Sequence, residues 1–120
     1  MSITFATKPV LMVATLALAL GTTARTAAGQ DAAQTAKGQE VYTAQKCQLC
    51  HAVAGKGNKA NPLDGVGAKL NAADIKEWIT HPTEMTAKAK STKKPPMPAK
   101  YGTLPAADLD ALVAYLASLK

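Results

Sequence analysis

The most informative part of the sequence is Cys47-Gln48-Leu49-Cys50-His51. Two cysteines three residues apart, followed at once by a histidine, form the attachment pattern of a c-type haem. Residues three apart lie on the same side of one helical turn, so each thiol can form a thioether bond with a different vinyl group of one porphyrin. The imidazole then follows as the proximal ligand of the iron. The pattern predicts one covalent haem c with its iron, attached through Cys47 and Cys50 and ligated by His51.

The N-terminal segment has the order of features of a secretory signal peptide. Lys8 precedes the apolar run Val10–Leu20, and small residues follow. The apolar run is shorter than the roughly 20 residues that a membrane-spanning helix needs, although an uncleaved anchor is the alternative. We expect cleavage after Ala24 or Ala28, a periplasmic location and no stable membrane insertion of the remaining chain.

Composition is consistent with one small domain that needs a cofactor. The formal net charge of +6 is spread along the chain and does not indicate a nucleic-acid partner. The sequence has one tryptophan and three tyrosines, and its only phenylalanine lies in the signal segment. Leu49 counts among the few large aliphatic residues expected in the core. A domain of this size is marginally stable without help, and a flat, apolar haem would supply the missing centre.

The rest of the chain predicts three main helices separated by long loops, without a sheet. Residues 29–35 are expected to form a flexible tail and residues 36–120 the folded domain. Helices are predicted over 35–47, over 72–80 and from Pro105 to the C-terminus. Asn71 is a suitable N-cap for the second helix, and Pro82 is expected to stop it. Loops are predicted over 55–67 and 83–103.

Met97 is the predicted second axial ligand of the iron. Thioether sulfur is a suitable ligand for haem iron, and the prolines on both sides of Met97 restrict the conformations of its loop. Met85 has no such support. His81 is the rival ligand, at a predicted helix end.

These features resemble a bacterial class I cytochrome c, a small soluble monohaem protein, over residues 36–120. The resemblance implies an all-α cytochrome c fold wrapped around the haem. It also implies that Pro62-Leu63 is the family's proline–leucine pair, with the Pro62 carbonyl accepting a hydrogen bond from His51. Met97-Pro98 would be the distal methionine–proline pair, and Trp78 would lie near a haem propionate.

The same resemblance implies a crossing of the first and last helices. Gly38 and Tyr42 match the small and aromatic positions of the first helix. Leu112 and Tyr115 match the positions of the last helix that cross them. We therefore expect close packing between these two pairs.

The resemblance implies an electron carrier, not an enzyme. We expect redox-protein partners, a donor dehydrogenase and an acceptor oxidase or reductase, and a monomeric state. Docking could use lysines near the haem edge, for which the candidates are Lys46, Lys56, Lys59, Lys93, Lys94 and Lys100.

Four other functions are open at this point. The chain could be the haem c subunit of a periplasmic oxidoreductase, or a sensor or enzyme with a five-coordinate haem. A thiol redox protein would need a βαβ context, which the sequence lacks. A zinc site would need four ligands, such as Cys47, Cys50, His51 and His81.

Overall fold

The computed structural model describes residues 27–120, so nearly all of the predicted signal segment lies outside the described part. Within it, the chain forms five α-helices, and the predicted all-α class is confirmed. The helices are α1 (Ala27–Ala44), α2 (Val66–Lys69), α3 (Ala72–Thr80), α4 (Pro82–Lys88) and α5 (Ala106–Ser118). Short 3-10 turns cover Cys47–Leu49 and Ala99–Thr103.

Helix α1 is longer at its N-terminus than the sequence suggests. It begins at Ala27, so residues 29–35, expected as a loose tail, have helical backbone. Alanine and glutamine dominate this segment, and both are good helix formers. The helix ends at Ala44, and Lys46 then adopts a left-handed conformation with φ of 57°. The chain therefore leaves the helix just before Cys47.

Helix α3 has the predicted bounds and ends before Pro82 as predicted, but the prediction of a loop directly after Pro82 was wrong. The side chain of Asn71 accepts a hydrogen bond of 2.8 Å from the backbone N–H of Asp74 and caps α3. Pro82 begins α4 directly afterwards. In the first turn of a helix, the N–H that proline lacks would have no partner, so proline is well tolerated there. Residues 83–88, predicted as loop, are therefore part of α4, and residues 99–103, also predicted as loop, form the second 3-10 turn.

The core lies between α1, α3 and α5. Gly38 lies against the backbone of Ala111 and the side chain of Tyr115. The rings of Tyr42 and Tyr115 meet edge to face, with centroids 5.7 Å apart and an interplanar angle of 64°. The buried hydrophobic cluster consists of Val41, Tyr42, Ile75, Ile79, Leu109, Leu112, Val113, Tyr115 and Leu116.

The 3-10 turn at Cys47–Leu49, which we call the cysteine turn, is followed by a small antiparallel ribbon. The sequence predicts no sheet in this part of the chain. Strand β1 (Ala52–Val53) pairs with β2 (Lys56–Gly57). Ala52 also forms a bridge to Pro62, with the Leu63 N–H donating to the Ala52 carbonyl at 2.8 Å. The ribbon therefore holds the loop around residues 58–63 next to His51.

No helix in residues 27–120 is both long and apolar enough to cross a membrane.

Candidate functional site

The cysteine turn brings the three residues of the predicted attachment site together. The backbone N–H groups of Cys50 and His51 both donate to the carbonyl of Cys47, at 3.1 and 2.9 Å. Cys47 is half-buried and Cys50 is exposed, and both are free thiols. The turn therefore places two thiols and one imidazole within five consecutive residues.

Two adjoining cavities open beside this turn. Their volumes are about 230 and 200 Å³, which together fall in the range of small-molecule and cofactor sites. Both are lined by Cys47, His51, Trp78, Met97 and Tyr101. The structure therefore places the predicted proximal histidine, the predicted distal methionine and one attachment cysteine around the same space.

The two cavities differ in the chemistry of their remaining walls. One has polar residues on its wall, including Asn61, Thr86, Ser91 and Lys93. The other is almost entirely apolar, and the aliphatic residues of its wall are Leu63, Val66, Leu70, Ile75, Ile79, Leu112 and Leu116. A flat macrocycle with one apolar body and one carboxylate edge matches this division. The residues present therefore fit a haem.

His51 is held in the form that binds iron. Burial lowers the pKa of its imidazole, which favours the neutral ring, and neutral imidazole is the metal-binding form. Its Nδ1 lies 3.2 Å from the backbone carbonyl oxygen of Asn61. A hydrogen bond from Nδ1 leaves Nε2 free for a metal and fixes the orientation of the ring.

The carbonyl that contacts His51 is not the one that the resemblance implies. It belongs to Asn61, and Pro62 is exposed and lines neither cavity. The Asn61 carbonyl also accepts from the Ala52 N–H at 3.3 Å, on the side of the loop that faces the ribbon. The pairing of Ala52 with this loop therefore turns the Asn61 carbonyl toward the imidazole.

Two further groups around the turn stay protonated at neutral pH. The hydroxyl of Tyr42 donates to the His51 carbonyl at 3.4 Å. Burial, with smaller contributions led by Cys47, raises the pKa of Tyr42 to about 12. Burial likewise raises the pKa of the free Cys47 thiol to about 11. Neither group therefore adds a negative charge to the cavity.

The structure separates the candidates for the second axial ligand. Met97 lines both cavities, whereas Met85 and His81 line neither. His81 is about half exposed, and its Nδ1 lies 2.8 Å from the Thr80 hydroxyl and 3.2 Å from a carboxylate oxygen of Glu77. Across residues 27–120, no group of three or more His, Cys, Asp or Glu side chains is placed to hold a metal ion.

Some residues of the site were missed by sequence reasoning. Tyr101 lines both cavities, and the ammonium of Lys100 lies 5.0 Å from the centre of its ring. Asn61 supplies the carbonyl under His51. Tyr101 lies four residues after Met97 on a short 3-10 turn, and no periodic pattern in the sequence marks it.

Comparison with protein families agrees with this geometry. The model of the Cytochrome c family matches residues 35–120. The chain belongs to the cytochrome c family. The comparisons with curated proteins and with solved structures gave no match.

Membership in this family identifies the cofactor and the general role. The cytochrome binds covalent haem c, as the cysteine–histidine pattern predicts, and takes part in electron transfer. The haem iron supplies the one-electron chemistry. On the protein side, Cys47 and Cys50 would hold the group, His51 would ligate it, and the Asn61 carbonyl orients the imidazole. The aliphatic wall gives the group an apolar surface to pack against.

Proposed function

We propose that this cytochrome is a soluble, periplasmic one-electron carrier of the bacterial class I type, with a single haem ligated by His51 and Met97. The observation that carries this proposal is that His51, Met97 and Cys47 line the same two cavities. The other thioether and the other imidazole in residues 27–120, those of Met85 and His81, line neither cavity.

Two protein ligands suit a carrier better than a sensor or an enzyme. An iron that keeps the same six ligands in both oxidation states rearranges little when it gains or loses an electron. A thioether opposite imidazole also raises the reduction potential. With both His51 and Met97 bound to the iron, no position would be left for an exogenous ligand.

We propose that partners dock next to the attachment turn. Leu49 is the one large apolar side chain of residues 27–120 that is strongly exposed, at 68%. Its backbone N–H donates to the Lys46 carbonyl at 3.0 Å, and its carbonyl accepts from the Asn58 side chain at 3.4 Å. Lys46 is therefore adjacent to Leu49, and Asn58 brings its chain neighbour Lys59 close to it.

The charge of this surface favours an acidic partner. Residues 41–63 contain Lys46, Lys56 and Lys59 but no aspartate or glutamate. An apolar centre with a charged rim is a common design of protein interfaces, and complementary charge raises association rates. The expected partners are a donor dehydrogenase and an acceptor oxidase or reductase with acidic rims.

The proposed periplasmic location rests on the basic residue, the apolar run and the small residues of segment 1–28.

A spectroscopic experiment tests the carrier proposal. The protein is secreted from a host with haem-attachment machinery, and its spectra are recorded oxidised, reduced and after acid–acetone extraction. We expect haem that stays with the protein, a reversible one-electron couple and slow, incomplete binding of carbon monoxide by the ferrous form at neutral pH. Rapid and complete carbon monoxide binding would show an open iron site and favour a sensor or an enzyme.

A further inference from the structure

The segment that carries Met97 has few hydrogen bonds to the rest of the described residues, although Met97 itself packs against the core. We call residues 92–98 the methionine strap; all of them except Met97 are exposed. The strap leaves the end of α4, where the backbone N–H of Ser91 donates to Thr86 at 3.0 Å. Inside the strap, only one hydrogen bond reaches a distant part of residues 27–120. The ammonium Nζ of Lys93 donates to the backbone carbonyl of Ala60 at 3.1 Å.

The acceptor of this bond lies in the loop that orients His51. Ala60 directly precedes Asn61, whose carbonyl contacts the His51 imidazole at 3.2 Å. The side chain of Asn58 accepts from the Ala60 N–H at 3.0 Å, which fixes the backbone of this loop. Lys93 therefore connects the segment of the proposed distal ligand to the loop that supports the proximal ligand.

Lys93 is also part of the cavity wall, unlike its neighbour Lys94. It lines the cavity that has Asn61, Thr86 and Ser91 on its wall, and its ammonium binds the Ala60 carbonyl. Lys94 is exposed and has the same charge but no hydrogen bond of its own within the described residues. The two lysines have the same charge, but only Lys93 bonds to Ala60. Lys94 is therefore a matched control.

We propose that Lys93 is a positioning residue that fastens the methionine strap to the loop beneath His51 and thereby keeps Met97 on the iron. The inference rests on the proposed assignment of Met97 as the axial ligand. Thioether is a neutral and weak ligand, so its occupancy of the iron depends on how well the protein holds it in place. A hydrogen bond from an ammonium to a carbonyl restricts the strap at a point four residues before the sulfur.

Competition with imidazole measures this restriction in the ferric holoprotein. Exogenous imidazole binds the iron only when Met97 has left it, so its apparent affinity reports the fraction of time that the sulfur is off. For Lys93→Ala we expect apparent imidazole affinity to rise about fivefold, as loss of one net hydrogen bond implies. Lys94→Ala should bind imidazole like the wild type, and Lys93→Arg, which can still donate to Ala60, should stay close to it.

The outcomes separate this inference from the proposed function. If the wild-type ferric spectrum lacks the weak red band of iron bound to thioether sulfur, the assignment of Met97 fails. If that band is present but Lys93→Ala and Lys94→Ala bind imidazole equally, the role of Lys93 is refuted. An affinity that rises for Lys93→Ala and returns to the wild-type value for Lys93→Arg supports it.

Discussion

Gly38 of α1 lies directly against the backbone carbonyl of Ala111 in α5, so closely that a Cβ at position 38 would collide with it. The same Cβ would lie 2.5 Å from the Cβ of Tyr115. The two helices can therefore cross at this distance only with glycine at position 38. This crossing brings Tyr42 against Tyr115, and α1 ends two residues after Tyr42, next to the cysteine turn.

Replacement of Gly38 by alanine should destabilise the protein. Alanine favours helix by about 1 kcal/mol over glycine, but the collision with Ala111 forces the helices apart. We expect a net loss of about 2 kcal/mol in the free energy of unfolding, measured by denaturant unfolding of the holoprotein. Gly29→Ala, in an exposed part of α1, is the control and should be neutral or slightly stabilising. Equal effects of the two substitutions would contradict the close crossing.

Removal of both attachment cysteines should cost the protein its haem and much of its fold. In Cys47→Ala/Cys50→Ala, no thioether can form, and the aliphatic residues around the apolar cavity would face an empty space. Empty apolar cavities are destabilising in proportion to their volume. We expect haem that is fully extracted by acid–acetone and a reduced helical signal in circular dichroism. A stable, fully helical protein without haem would show that the core does not depend on the cofactor.

Ionisation of Tyr42 should weaken the fold at alkaline pH. Its pKa is raised from 10.0 to about 12 in the folded protein, so above pH 10 the unfolded chain loses this proton first. The stabilisation from the neutral phenol is complete below pH 10 and is lost as pH rises toward about 12. Tyr42→Phe cannot ionise, and its free energy of unfolding should therefore fall less steeply than that of the wild type across this range. Parallel curves would exclude the contribution of Tyr42.

The surface around Leu49 should control reaction with anionic redox partners. The charge of this surface is tested by the rate at which hexacyanoferrate(III), a small anion, oxidises the ferrous protein. We expect Lys59→Glu to slow this reaction about twofold or more at low salt, with the difference disappearing as salt screens the charges. Lys69→Glu, at the end of α2 and outside both cavities, is the control. Equal slowing by both substitutions would indicate an effect of net charge alone.

Sequence reasoning succeeded where a single local pattern determines the structure. The bounds of α3 follow from the Asn71 cap and the apolar spacing of Ile75 and Ile79, and both residues are buried. Helix α5 was predicted from Pro105 and begins one residue later, with Pro105 at its N-cap. The cysteine–histidine pattern led to the cofactor that family membership supports, because covalent attachment imposes a fixed spacing on the residues involved.

Sequence reasoning failed where the outcome depends on contacts between distant segments. Pro82 could end one helix or begin the next, and here it does both. Leu49 was expected in the core, but the cysteine turn leaves its side chain in solvent. The choice of Asn61 over Pro62 beneath His51 depends on pairing with Ala52. The contact of Lys93 with Ala60 likewise has no local signature.

The assignment of His51 and Met97 as axial ligands is the central claim, and one comparison tests it most directly. The ferric spectrum and reduction potential of Met97→Ala are measured beside those of Met85→Ala, which removes a thioether outside both cavities. Both variants should keep their haem, because Cys47 and Cys50 are intact.

We predict that Met97→Ala loses the weak red band of sulfur-bound ferric iron and shifts markedly in potential, since axial ligands set haem potentials over a range of about 0.8 V. Met85→Ala should keep the wild-type spectrum and potential. A wild-type spectrum and potential in Met97→Ala, or loss of the band in Met85→Ala, would contradict the account.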